Sequence, residues 1–203
     1  MKTLTLIADT LSAFDKISIK KGHEETQNCE YEGLIVTING QSYRSRLAKL
    51  TPKKVGYFVA FWEKGPNNQN QAFDMTDTPD KLIISIIDGD LKGQFVFPKS
   101  ILIKQGILRR EHAKGKMAIR VYPTWLDQLN ATARQTQKWQ GAYFVDLSSE
   151  VDHNRVDQLY FTCSSSLLIA KHNNNRRYDI LAYKNIFILW SPKCGLAERK
   201  MIR

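Results

Sequence analysis

The sequence predicts an α+β domain with a central mixed or antiparallel sheet flanked by helices. Short apolar, β-branched runs recur between residues 33 and 122, punctuated by turn signals such as Asn39-Gly40 and Asp88-Gly89-Asp90. Helical spacing shows only at the two ends and in one short interior stretch. Apolar residues make up 42% and aromatics 10% of the 203 residues, enough for a real core.

Each element has its own signal. Leu4, Ile7, Leu11 and Phe14 recur on one helical stripe, which predicts an amphipathic helix over 3–17. Gly33 to Ile38 reads as a strand, Asn39-Gly40 as its hairpin turn, and Ser42 to Lys49 as the returning strand. Thr51-Pro52 then breaks the pattern. Tyr57 to Trp62 is a continuous apolar run of the buried-strand type. A polar loop follows at 65–70, then an acidic, irregular stretch at 71–81. Leu82 to Ile87 and Gln94 to Phe97 are further strands, the second closed by Pro98. Ser100 can cap a helical turn over 101–105 that Gly106 ends. Met117 to Tyr122 is the last clear strand, with Ala118, Arg120 and Tyr122 on one face. Asn130 is a natural N-cap for a helix from Ala131 to Tyr143.

Composition narrows the function classes. The net charge of +10 points to an anionic partner or to a plain basic surface. Cys29, Cys163 and Cys194 are scattered and include no CxxC pair, so neither a zinc site nor a disulfide framework is expected. Reduced thiols fit a cytoplasmic location. The apolar run at the N-terminus stops at Asp9, too short for a secretory signal. No run is long enough for a membrane helix, since Lys184 and Asn185 interrupt the apolar stretch 180–190. No internal repeat is evident. After Ser149 the texture changes: low-complexity Ser164-Ser-Ser166 and Asn173-Asn-Asn175 lie in a segment, 151–203, with nine Lys/Arg against four Asp/Glu. The chain therefore divides into a domain over 1–149 and a basic C-terminal extension over 150–203 whose order the sequence does not specify.

Candidate contact residues fall into clusters. Arg44 and Arg46 sit at alternate positions of a strand and so point the same way. Adjacent phosphates lie roughly 6–7 Å apart, about the rise of two strand residues, and arginine offers a bidentate fork. The alternative is a solvated strand face with salt bridges to the acidic stretch. Lys49, Lys53 and Lys54 extend this cluster. A second runs from Lys92 to Arg120 and includes Lys99, Lys116 and Arg120. Lys114-Gly115-Lys116 lacks the spacing and the Ser/Thr of a P-loop. Tyr122 and Trp125 are aromatics that can stack a base. On the late helix, Arg134 and Lys138 suit an anion, while Trp139 reads rather as core. Asp88 and Asp90 after a buried strand are the case for metal-dependent cleavage, against a simple turn. His23, His112, His153 and His172 show no ligand spacing. No catalytic set, metal site or cofactor motif emerges.

Several stretches together resemble the MepB family of small bacterial cytoplasmic proteins. They are Arg44 to Phe58, Val59 to Lys64, Gly93 to Lys99, Gly115 to Trp125 and Gln137 to Gln140, in the family's order across about residues 5–147. The tail from about 150 departs from that pattern. The resemblance implies a compact α/β domain with a fold similar to PD-(D/E)XK nucleases, in degenerate form. In Leu47-Ala-Lys49 and Phe97-Pro-Lys99 the lysine is present, but the acidic residue two positions before it is missing. The expected function is binding of DNA or RNA without robust catalysis. Arg44, Arg46, Lys49, Lys53, Lys99, Lys116, Arg120 and Lys138 would hold phosphates, and Tyr122 or Trp125 would stack a base. The alternatives are a metal-dependent nuclease and a non-catalytic regulator that binds an acidic protein or small anion.

Overall fold

The computed structural model describes residues 1–162. The chain opens with α1 (Lys2–Leu11), which buries Leu6, Ile7 and Leu11. It ends earlier than the periodicity suggests, because Ser12 closes the last turn through its amide and hydroxyl to the Asp9 carbonyl. β1 (Ile19–Glu24) is an exposed edge strand whose Lys-Lys-Gly-His-Glu run has no apolar alternation to announce it. β2 (Leu34–Ile38) and β3 (Gln41–Leu47) form the expected hairpin. Asn39 (φ 49°) and Gly40 (φ 82°) supply the positive φ values that its two-residue turn requires.

After Ala48 the chain leaves this sheet. β4 (Lys49–Thr51) and β5 (Lys54–Ala60) pair with each other, so Thr51-Pro52 belongs to a hairpin turn and not to a break between elements. A small ribbon of β6 (Trp62–Lys64) and β7 (Asn70–Ala72) follows. β8 (Lys81–Asp88) and β9 (Leu91–Pro98) make a long hairpin turned at Gly89-Asp90. Next come α2 (Lys99–Lys104) and β10 (Ala118–Val121). α3 (Ala131–Gln140) begins at Asn130, whose side chain accepts the Ala133 amide at 2.9 Å. β11 (Phe144–Asp146) and α4 (His153–Phe161) complete the described chain.

The large sheet runs in the order β1-β2-β3-β8-β9-β11, and β3 lies parallel to β8, so it is mixed, as expected. A separate three-stranded sheet, β10-β5-β4, was not foreseen. Between the two sheets lies one core: Leu82, Ile84, Phe95 and Phe97 pack against Tyr57, Val59, Ile119 and Val121. A second core covers the opposite face of the large sheet, where Tyr43, Ile83 and Val96 meet α1 through Ile7 and Leu11 and meet α4 through Val156, Leu159 and Tyr160. Alternating side chains on each central strand feed the two cores in turn. The first residues of the expected C-terminal extension are therefore built into this layer; 163–203 lie outside the described residues. Among the described residues no helix is long and apolar enough to cross a membrane.

Candidate nucleic-acid interface

The three-stranded sheet has one face in the core and one outside. Register places Lys49 opposite Phe58 and Phe58 opposite Arg120. Directly paired residues project to the same side, and their neighbours Tyr57 and Val121 project to the core. Lys49, Phe58 and Arg120 thus form a row across the outer face, flanked by Tyr31 from the 3-10 turn Cys29–Tyr31. The Tyr31 and Phe58 rings meet edge to face with centroids 6.0 Å apart. Lys49 Nζ lies 5.5 Å from the Tyr31 ring and 3.6 Å from Glu30, a solvent-exposed pairing of little energetic weight. The Arg120 guanidinium carbon is 5.7 Å from the Phe58 ring centre. All four residues remain partly exposed.

Arg120 also builds the platform. Its Nη1 donates to Thr51 Oγ1 (2.9 Å), to the Lys54 carbonyl (3.2 Å) and to the Gly56 carbonyl (2.8 Å). One guanidinium group therefore pins the β4–β5 turn, which holds Lys53 and Lys54 out in solvent. Tyr122 lies across β5 at Gly56. A Cβ there would come within 2.6 Å of the Tyr122 ring, and the φ of +90° also selects glycine. The free edge of β10 is sealed from α3: Gln140 Oε1 accepts the Tyr122 amide (2.9 Å) and its Nε2 donates to the Arg120 carbonyl (3.0 Å). Gln137 holds the next turn, donating to the carbonyls of Pro123 (2.7 Å) and Leu126 (2.8 Å). The Gln137–Gln140 stretch is thus the brace for the Gly115–Trp125 stretch. Between β10, the end of α2 and α3 lies a recess of about 270 Å³ lined by Lys116, Arg120, Tyr122 and Trp139.

The structure therefore brings Lys49, Lys53, Arg120, Tyr122 and Lys116 to one region. It does not bring the other expected contacts there. Arg44 and Arg46 do share a face, but that face points into the protein, where they are 7% and 0% exposed. Both pair with Glu25, Arg44 through Nε at 2.7 Å and Arg46 through Nη2. The Arg44 guanidinium carbon stacks 3.5 Å above the Phe73 ring. Burial pulls both guanidinium pKa values down, and Glu25 opposes that shift. As folded, these arginines hold a buried carboxylate and present no fork to a phosphate. Their partner is Glu25 and not the acidic stretch.

That stretch neutralises other cations. Arg109 pairs with Asp74 at 3.0 Å. Hydrogen bonds from the Thr76 amide and hydroxyl, and then the charges of Arg109 and Lys99, hold the Asp74 carboxyl below its usual range. Lys99 opens α2, with its amide bonded to the Asp80 carbonyl (2.9 Å), and is not part of the outer row. Trp125 is wedged into the core against Phe144 (centroids 5.3 Å apart) and Tyr57 (6.5 Å), so it is not a free stacking surface. Lys138 is exposed, with Arg134, in an open recess on the other flank of α3. Trp139 packs on Phe97, 5.5 Å between ring centres, while one side of it lines the smaller recess.

Asp88 accepts a 2.8 Å hydrogen bond from the Tyr57 hydroxyl on the core side of the small sheet, and Asp90 belongs to the β8–β9 turn. Among the described residues no three His, Cys, Asp or Glu side chains cluster as metal ligands. Sequence reasoning missed Phe58 and Tyr31. Phe58 lies in an apolar run that reads as buried on both sides, and no periodicity links it to Tyr31.

A family model described as MepB-like matches residues 25–146. The crystal structure of MepB shares 44% sequence identity, covering 72% of this chain and 97% of that one, with a TM-score of 0.64. A bacterial homing endonuclease structure gives 14% identity over 67% of this chain and 84% of that one, with a TM-score of 0.40. A search of curated proteins gives no match. The platform strands, the buried arginine pair and the glutamine brace all fall inside the matched segment, and this protein belongs to the MepB-like family.

Proposed function

We propose that this MepB-like protein is a cytoplasmic nucleic-acid-binding module that takes single-stranded DNA or RNA across the outer face of its three-stranded sheet. The observation that carries this is the Lys49–Phe58–Arg120 row with Tyr31 beside it. A base has two apolar faces and is joined along one edge, through its sugar, to a charged backbone. Aromatic rings interleaved with cations on a rigid sheet match that pattern, and stacking on such rings contributes about 1–3 kcal/mol per base. The pinned turn supplies Lys53 and Lys54, and Lys116 lies at the far edge of β10. Arg120 acts mainly by positioning, since its Nη1 is committed to backbone carbonyls. Asp88 lies on the opposite side of the sheet, bonded to Tyr57, which favours binding over cleavage at this face.

Fluorescence-anisotropy titration of a short labelled oligonucleotide across ionic strength tests the proposal. With Lys49, Lys53, Lys54 and Lys116 on phosphates, log affinity falls with log salt at a slope of about −3, given roughly −0.7 per phosphate for single strands. Phe58→Leu keeps an apolar residue at that position and removes the ring; binding weakens about tenfold with the slope unchanged. Absence of binding at low salt, or an unaltered affinity in Phe58→Leu, rejects this face. Binding only to acidic proteins would move the assignment to the regulator class.

A further inference from the structure

The recess at the edge of β10 has the size and lining of a site for one base. Its volume, about 270 Å³, falls just below the roughly 300–1,000 Å³ of drug-sized ligand sites, so it suits a single ring system and not a dinucleotide. Tyr122 and Trp139 contribute aromatic walls, and Ile107, Ala118 and Ile119 an apolar floor. Lys116 is exposed at the recess, and neither it nor the Gln105 side chain makes a hydrogen bond or ion pair among the described residues. Gln105 and Thr136 offer an amide and a hydroxyl to a base edge. The wall itself is fixed, because both ends of the Gln140 amide are bound to β10.

Arg120 and Tyr122 belong to both places. Arg120 ends the aromatic–cationic row, Tyr122 lies over Gly56 of the same sheet, and both line the recess. A strand that crosses the sheet past Arg120 therefore comes to the mouth of the recess. A base in a duplex is stacked on both faces and paired along its edge, so it enters only after unstacking. We propose that this recess takes one unstacked base of a single strand, with Lys116 on the adjoining phosphate, and that it confers preference for single strands over duplexes. The inference rests on the nucleic-acid reading above.

The test fills the recess. Thr136 is half-exposed on α3, and its hydroxyl bonds only to the Thr132 carbonyl of its own helix (3.0 Å). Thr136→Phe places a ring in the cavity without entering either core, and Gln105→Phe fills it from the opposite wall. Affinities are measured for an oligonucleotide and for its duplex, with circular dichroism to confirm that each variant is folded. The unmodified protein binds the single strand at least tenfold more tightly than the duplex. Each filled variant loses most of that preference, and its duplex affinity changes less than twofold. Equal affinity of the unmodified protein for strand and duplex overturns the recess assignment, whatever the variants do. A preference that survives in a folded filled variant overturns it too, and leaves the sheet face intact. Absence of binding to either form removes both the recess and the face.

Discussion

Glu25 is the residue on which the most charge depends. It is 8% exposed and is the one direct ion-pair partner of two buried guanidinium groups among the described residues. Removing the carboxylate leaves two buried cations with no direct ion-pair partner, opposed only by the more distant charge of Glu63 on Arg44. Breaking a buried pair in this way costs about 3–5 kcal/mol. Glu25→Gln is expected to lower the unfolding free energy by that amount and so to shift the urea midpoint down; an unchanged midpoint would show that Arg44 and Arg46 are solvated. The alternate spacing of the two arginines was legible in the sequence, and they do share a face. Which face was not legible, because periodicity says which residues go together and not which side is covered. The partner is also remote, 19 and 21 residues upstream of the two arginines, in a segment with no apolar pattern. Lys49, Lys53, Arg120 and Tyr122 were readable as candidates from their charge and ring type, but in separate clusters, because the pairing of β4, β5 and β10 that places them on one sheet leaves no trace in local spacing. Phe58 was not, because an aromatic within an apolar run looks the same whether its strand is covered on one side or on both.

At the scale of elements, α4 is held by its end. Lys81, 3% exposed, donates through Nζ to the carbonyls of Leu159 (2.8 Å), Tyr160 (2.7 Å) and Thr162 (3.1 Å). The Tyr43 hydroxyl donates to the Tyr160 carbonyl at 2.6 Å. A cation on the last carbonyls satisfies groups that a helix leaves unpaired and complements the dipole. Lys81→Met removes that cation without opening a large cavity. The expected loss is roughly 1–3 kcal/mol, with faster amide exchange concentrated in α4; uniform exchange across the domain would contradict the clamp. Most long strands were visible from their apolar runs. The short strands β1, β6, β7 and β11 were not, for each is polar or too brief to show a period. The division into two sheets was also hidden. Residues 42–49 read as one strand, whereas the chain changes sheets at Ala48, whose amide goes to the Ser85 carbonyl (2.8 Å).

Across the whole molecule, burial of tyrosines ties stability to alkaline pH. The Tyr57 hydroxyl is pushed up to about 12, first by burial and then by its bond to Asp88. Burial raises Tyr43 and Tyr160 further still. An unfolded tyrosine ionises near 10. Below that pH both states are protonated and stability is complete; between pH 10 and about 12 only the unfolded chain loses these protons, so stability declines. Absorbance titration should show part of the tyrosine signal delayed beyond pH 10 and released together with loss of the circular dichroism. Full ionisation near 10 with the fold intact would refute this packing. The three layers have a temporal side as well. The large sheet is covered on one face by the first helix and by the last described one. A ribosome delivers every strand before it delivers α4, so Ile83, Val96 and Tyr43 emerge with half their cover still to be translated. The growing chain carries an oily surface until about residue 161 has cleared the exit tunnel, and that interval is when it most needs a chaperone.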